Sequence, residues 1–220
     1  MSTKTNFQVS NNYKEILKKL FLFLLFCFSV LAVFTTYAKI KQLENKLIAT
    51  SSMLQQKKTE VEIIRYNLKN QLENEGIKLD SNLNLTHFKS KKTLNIKEVL
   101  HEKKLFFRIS NKHCDICIKQ ELLNLKSLSD STGIQNICII ATSYEERTLH
   151  FLLKEYQIPF PVYTLTEKQL SFLPLEQHFL PYIFIAETNL IMHSVFVPTK
   201  ELPFLSKEYY LGIKKKLLKS

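Results

Sequence analysis

Two cysteines two residues apart, in His113-Cys114-Asp115-Ile116-Cys117, carry the most reactive chemistry in this sequence. Such a pair can close a small disulfide ring with little backbone movement. The thiolate is the reactive form of cysteine, and a helix N-terminus favours it through free N–H groups and the helix dipole. Cys114 is therefore the expected nucleophile if a helix starts here, and Cys117, one turn further in, the resolving thiol. Cys-x-x-Cys also opens zinc sites, but those take a second Cys or His pair at matching spacing. The remaining cysteines, Cys27 and Cys138, are isolated. The pair reads as a redox dithiol, with no metal site and no cofactor assigned.

The flanking residues supply the required elements. Leu105–Ser110 is a short apolar run of strand type. Ile118, Leu122, Leu125 and Leu128 return to one helical face. The dithiol thus sits at a strand-to-helix junction. Beyond it, Asn136–Ala141 reads as a central strand buried on both faces, with Cys138 as a core residue. Ser143 is the expected cap of a helix from Tyr144 to Tyr156, with Glu146 at the capping-box position. Phe160–Leu165 is a further strand, and a surface segment then runs to His178. Tyr182–Ala186 and Leu190–Val197 form a hairpin turning at Thr188-Asn189. A closing helix spans Leu202–Leu218, with Lys214, Lys215, Lys216 and Lys219 at the end where cations suit the dipole.

The N-terminal part is of another kind. Residues 1–19 form a basic N-terminus expected on the cytoplasmic side, whose first ten residues read as disordered. Leu20 to Ala38 is a stretch of 19 residues without a charge. A helix of that length just crosses a ~30 Å hydrocarbon core. It reads as an uncleaved anchor; the competing reading is a signal peptide cleaved at Thr36-x-Ala38. Residues 39–72 read as a helical stalk. Ile40, Leu43, Leu47, Thr50, Leu54, Lys57, Val61, Ile64, Leu68 and Gln71 keep a seven-residue rhythm without Pro or Gly. That fits either a coiled coil pairing two copies through residues 40–72, or a single helix that is a solvated stalk or rests on the next domain. Gly76 is a plausible helix stop, and residues 73–93 read as a linker or an irregular lead-in. The domain proper is expected from residue 94 to 220.

Composition narrows the partners. The formal net charge is +11; residues 1–92 carry +8 of it and residues 93–220 only +3. The excess lies beside the apolar segment, which suits anionic lipid, and no nucleic-acid motif accompanies it.

The order strand, Cys-helix, strand, helix, strand, Leu180-Pro181, hairpin, helix resembles the thioredoxin fold. The extra chain before Pro181 is similar to the membrane-anchored, periplasm-facing thiol–disulfide oxidoreductases of the TlpA/ResA kind. The resemblance covers about residues 94–220. It implies an α/β thioredoxin-like fold, a central mixed sheet flanked by helices, preceded here by a transmembrane helix and a stalk. It implies Cys114 as attacking thiol, Cys117 as resolving thiol, and Pro181 as a cis-proline facing them. It further implies a single-pass protein of the bacterial inner membrane whose C-terminal domain exchanges disulfides with extracytoplasmic thiol proteins. Several positions depart from the pattern. His113 replaces an aromatic, Asp115-Ile116 a Gly-Pro type dipeptide, Arg108 a buried acid or amide, and Gln120 a frequent Glu. Arg108, Lys112 and a protonated His113 would favour the Cys114 thiolate, and Asp115 would oppose it. Two other functions compete. One is a non-catalytic binding or assembly module. The other is soft-metal (copper) delivery by Cys114, Cys117 and a histidine such as His113 or His193.

Overall fold

A computed structural model of the chain describes the backbone of residues 4–218 and the side chains of residues 14–218. Met1–Thr3, Lys219 and Ser220 lie outside the described residues. The chain divides into two units, Met1–Lys58 and Thr59–Ser220.

The first helix, α1, spans Lys4–Asn74, so the helix starts within the leader that reads as disordered. Its apolar stretch is long enough to cross a membrane by length and composition. Side chains such as Phe23, Phe28, Val33 and Phe34 are exposed throughout it. The helix stops where the chain reaches Gly76, whose φ of +81° suits a residue without a Cβ.

The second unit is built on a seven-stranded sheet. Its strands are β1 (Asn84–His87), β2 (Thr93–Asn95), β3 (Lys104–Ser110), β4 (Ile137–Thr142), β5 (Val162–Thr164), β6 (Tyr182–Ala186) and β7 (Met192–Phe196). The helices are α2 (Ile96–Val99), α3 (Asp115–Thr132), α4 (Glu146–Glu155) and α5 (Pro203–Leu217). The order across the sheet is β2-β1-β5-β4-β3-β6-β7. β3, β4 and β5 run parallel, joined by α3 and α4, while β6 and β7 return antiparallel beside β3. A βαβ unit followed by an antiparallel hairpin and a closing helix is the thioredoxin-like fold.

Residues 73–93 are not merely a linker. They contribute β1 and most of the way to β2, an antiparallel pair that extends the sheet beyond β5. Strands of four and three residues are too short to announce themselves by alternation.

Period-two alternation sorts the core onto two faces. Leu105, Phe107 and Ile109 of β3 meet Ile118, Leu122 and Leu125 of α3 on one side. Phe106 points to the other side, among Leu85, Ile96, Leu173 and Phe184. Each such fully buried side chain contributes on the order of 1.5–3 kcal/mol. Cys138 is buried on the second side, and burial pushes its thiol up to about 12, so it packs and does not react.

The end of α1 belongs to this second unit. The Asn67 side chain accepts the Val197 N–H (3.1 Å), and the Glu75 carboxylate accepts the Val195 N–H (3.4 Å). Just beyond, the Gly76 N–H donates to the Met192 carbonyl and the Met192 N–H to the Ile77 carbonyl, each at 2.8 Å. The outer edge of β7 is thereby covered rather than left open. The residues that face the domain are Ile63, Tyr66, Asn67, Asn70 and Asn74, a stripe distinct from the heptad positions. Val61, Ile64 and Leu68 of the heptad remain exposed.

Candidate redox site

Cys114 and Cys117 form a disulfide with their Cα atoms 5.3 Å apart. Cys114 is the N-cap of α3, and the Cys117 N–H donates to its sulfur at 3.3 Å. Cys114 is half-buried and Cys117 buried, as expected for an attacking and a resolving sulfur. β3 delivers the chain to this point and α3 carries it away.

Pro181 is buried at the start of β6, directly after the half-buried Leu180, which lines the same cleft as the two cysteines. The Leu180–Pro181 bond is trans, because there is no cis peptide bond among the described residues, and this corrects the expected cis-proline. The turn into this bond is made at Phe179, whose φ of +51° lies in the left-handed region.

The charged residues around the dithiol cancel in pairs. Arg108 is fully buried; its Nε and Nη2 donate to the two carboxylate oxygens of Glu176, each at 2.9 Å, and its Nη1 donates to the Ile109 carbonyl. The Tyr182 hydroxyl donates to Glu176 as well (2.7 Å), and burial holds its pKa well above the ordinary value. Lys112 pairs with Glu167 at 2.8 Å, and that contact, with a second from the Ser143 hydroxyl, holds the Glu167 carboxyl below its ordinary range. Ser143 is therefore not the cap of α4, which starts at Glu146 without a side-chain cap. Asp115 pairs with Lys119 one turn along α3 at 2.9 Å. His113 is pushed down to about 3, first by burial and then by the Arg108 charge, so it is neutral and not the expected imidazolium. With these terms paired or neutral, the start of α3 and the Cys117 amide are what remain to favour a Cys114 thiolate.

Two hollows lie near the start of α3, one of them lined by the dithiol. One, of about 300 Å³, is polar and lined by Arg108, His113, Glu167 and Glu176 among others; the buried Nδ1 of His113 has no hydrogen-bond partner. The other, of about 400 Å³, contains Cys114 and Cys117 and is bounded by Ile63, Tyr66, Leu180 and Pro198. Tyr66 also stands edge-on to His178, with ring centroids 5.8 Å apart.

Several of these residues escape a reading along the chain. Glu176 lies 68 residues from its partner Arg108. Glu121, buried between α3 and α5, accepts the hydroxyls of Ser206 and Tyr210 at 2.6 Å each, and burial raises its pKa. An acid inside the apolar stripe of α3 is a signal that it must find donors. His193 lies on β7 against Glu75 (3.4 Å), not with the cysteines. Among the described residues no three His, Cys, Asp or Glu side chains are grouped to hold a metal ion.

No protein-family model matches this sequence, and no curated protein matches it. Among solved structures the chain is similar to PrxQ from Xylella fastidiosa, at 13% identity and a TM-score of 0.47, covering 65% of this chain and 96% of that one. It is similar to the thioredoxin domain of a thiol–disulfide oxidoreductase from Bacteroides vulgatus, at 8% identity and 0.44, covering 61% and 98%. It is similar to a secreted disulfide oxidoreductase from Mycobacterium tuberculosis, at 10% identity and 0.43, covering 59% and 96%. At such identities only the course of the chain is compared, and the chemistry comes from this chain's own residues.

Proposed function

We propose that this protein is a membrane-tethered thiol–disulfide oxidoreductase of the TlpA/ResA kind that exchanges disulfides with extracytoplasmic proteins. The observation that carries the reading is the Cys114–Cys117 disulfide at the start of α3, with Cys114 half-exposed in a cleft large enough for a substrate side chain.

In the direction drawn from the disulfide form, a substrate thiolate attacks the Cys114 sulfur. The Cys114–Cys117 bond breaks, a substrate–Cys114 mixed disulfide forms, and Cys117 leaves as a thiolate that takes up a proton. A second substrate thiolate then attacks the substrate sulfur of that mixed disulfide. The substrate leaves with a new disulfide, and two electrons have passed to the Cys114–Cys117 pair. The reverse sequence reduces a substrate disulfide. The apolar stretch of α1 supports the tether, and the excess charge of residues 1–92 suits a face of anionic lipid. The exposed heptad positions Val61, Ile64 and Leu68 support pairing of two copies through residues 40–72.

The test is a trap. Full-length Cys117→Ser, reduced and mixed with disulfide-containing extracytoplasmic proteins, accumulates mixed disulfides on Cys114 that a non-reducing gel resolves. Cys114→Ser forms none and loses exchange by a factor of about a thousand or more. Equal trapping by the two variants, or none by either, contradicts the reading.

A further inference from the structure

The cleft beside the dithiol has a wall that a thioredoxin-like core does not itself supply. Ile63 and Tyr66 come from the end of α1, more than forty residues before the Cys-x-x-Cys pair, yet they line the same 400 Å³ cleft as Cys114 and Cys117. Their position is fixed rather than incidental. Asn67 holds the Val197 N–H, Tyr66 stands against His178, and Asn70 and Asn74 on the same stripe are buried. The opposite side is Leu180 and Pro198. Two large apolar side chains are left in solvent nearby along the chain: Ile116, between the cysteines, is 60% exposed, and Phe179, which precedes Leu180 and lines the other hollow, is 58% exposed. Singly such residues mean little; beside a largely apolar cleft that holds the reactive sulfur, Ile116 adds to a surface that binds apolar groups.

We propose that the end of α1 is part of the substrate site, and that Ile63 and Tyr66 select polypeptide cysteines flanked by bulky apolar side chains. This rests on the exchange reading above. The occupant is a cysteine-bearing protein segment, because the cleft opens on the reacting sulfur and its lining surface is mostly carbon, with Glu62, Lys200 and Glu201 also on it. A small hydrophilic thiol would leave those walls unfilled. Covering the β7 edge with Asn67, Glu75 and residues 76–79 also removes strand addition at that edge.

The experiment uses the full chain in nanodiscs, reduced, and two synthetic peptides carrying one cysteine as its mixed disulfide with thionitrobenzoate. In one peptide leucines flank the cysteine, in the other serines. Cys114 thiolate attacks the peptide sulfur, thionitrobenzoate leaves as a coloured thiolate, and Cys117 then displaces the peptide thiol as the Cys114–Cys117 disulfide forms. Each rate is divided by that of the same peptide with dithiothreitol, which removes intrinsic reactivity. The expected preference for the leucine peptide in kcat/KM is about tenfold or more. Tyr66→Ala and Ile63→Ser bring the ratio towards one, and Tyr66→Phe, which keeps the ring, preserves it. A wild-type ratio near one, or a ratio that neither Tyr66→Ala nor Ile63→Ser changes, overturns the proposal while the exchange reading stands. Release from neither peptide overturns both.

Discussion

The two hollows near the start of α3 are of similar size and opposite character. The polar one is lined by groups whose charges are already matched, Arg108 with Glu176 and Lys112 with Glu167, around a neutral His113. The apolar one contains the cysteines and is walled by Ile63, Tyr66, Leu180 and Pro198. The polar side thus fixes geometry without adding net charge at the sulfur, and the apolar side is where a partner can gain free energy. The buried Arg108–Glu176–Tyr182 cluster ties β3 to the turn at residues 174–178, and so holds the chain that leads into Leu180-Pro181.

Breaking the polar side has the largest expected effect on stability. Arg108→Met leaves the half-buried Glu176 without its counter-ion and lowers unfolding free energy by about 3 kcal/mol, read by thermal unfolding. Arg108→Met with Glu176→Leu recovers most of that loss, because the cost lies in the unpaired charge. A double variant no more stable than the single one argues that the pair is needed for its geometry.

His113 gives a pH-dependent test of the same hollow. Its folded pKa of about 3 lies below the 6.5 of an exposed histidine, so the unfolded chain binds the extra proton between those values. Stability is therefore complete above pH 6.5 and falls as pH drops towards 3. Between pH 7 and pH 5 the loss from this residue is at most about 2 kcal/mol, lessened by its partial exposure to solvent. His113→Gln flattens that part of the profile of melting temperature against pH. An unchanged slope would place the titration elsewhere.

The smallest effect is expected on the apolar side. Asn67→Ala leaves the Val197 N–H without its partner and costs about 1 kcal/mol, measured by denaturant unfolding. A loss of several kcal/mol would mean that this contact holds α1 on the domain by itself.

The dithiol, its strand and helix, and the β6–β7 hairpin are legible in the sequence because each signal is local: Cys spacing, a run of apolar residues, a helical stripe. The trans geometry at Pro181 is not, since nothing in Leu180-Pro181 alone separates cis from trans. The charges on Arg108 and Lys112 are readable as residues, but their partners lie 68 and 55 residues away and only folding brings them in, as it does the burial that keeps His113 neutral. The role of α1 is hidden for another reason. Its heptad advertises one face, while the face that meets the domain carries Asn67, Asn70 and Asn74, whose polarity reads as solvent exposure. Three asparagines at helical spacing before a glycine stop are the signal that could have marked it.

The most direct test is a redox equilibrium on the full chain in detergent. The protein is held in glutathione buffers of graded potential, and Cys114 and Cys117 are followed by thiol alkylation and mass. A reversible two-electron transition between roughly −270 and −120 mV is the predicted result, and its midpoint gives the direction of exchange. A disulfide that resists reduction below about −300 mV, or cysteines that do not re-pair, would make the dithiol structural and contradict the account.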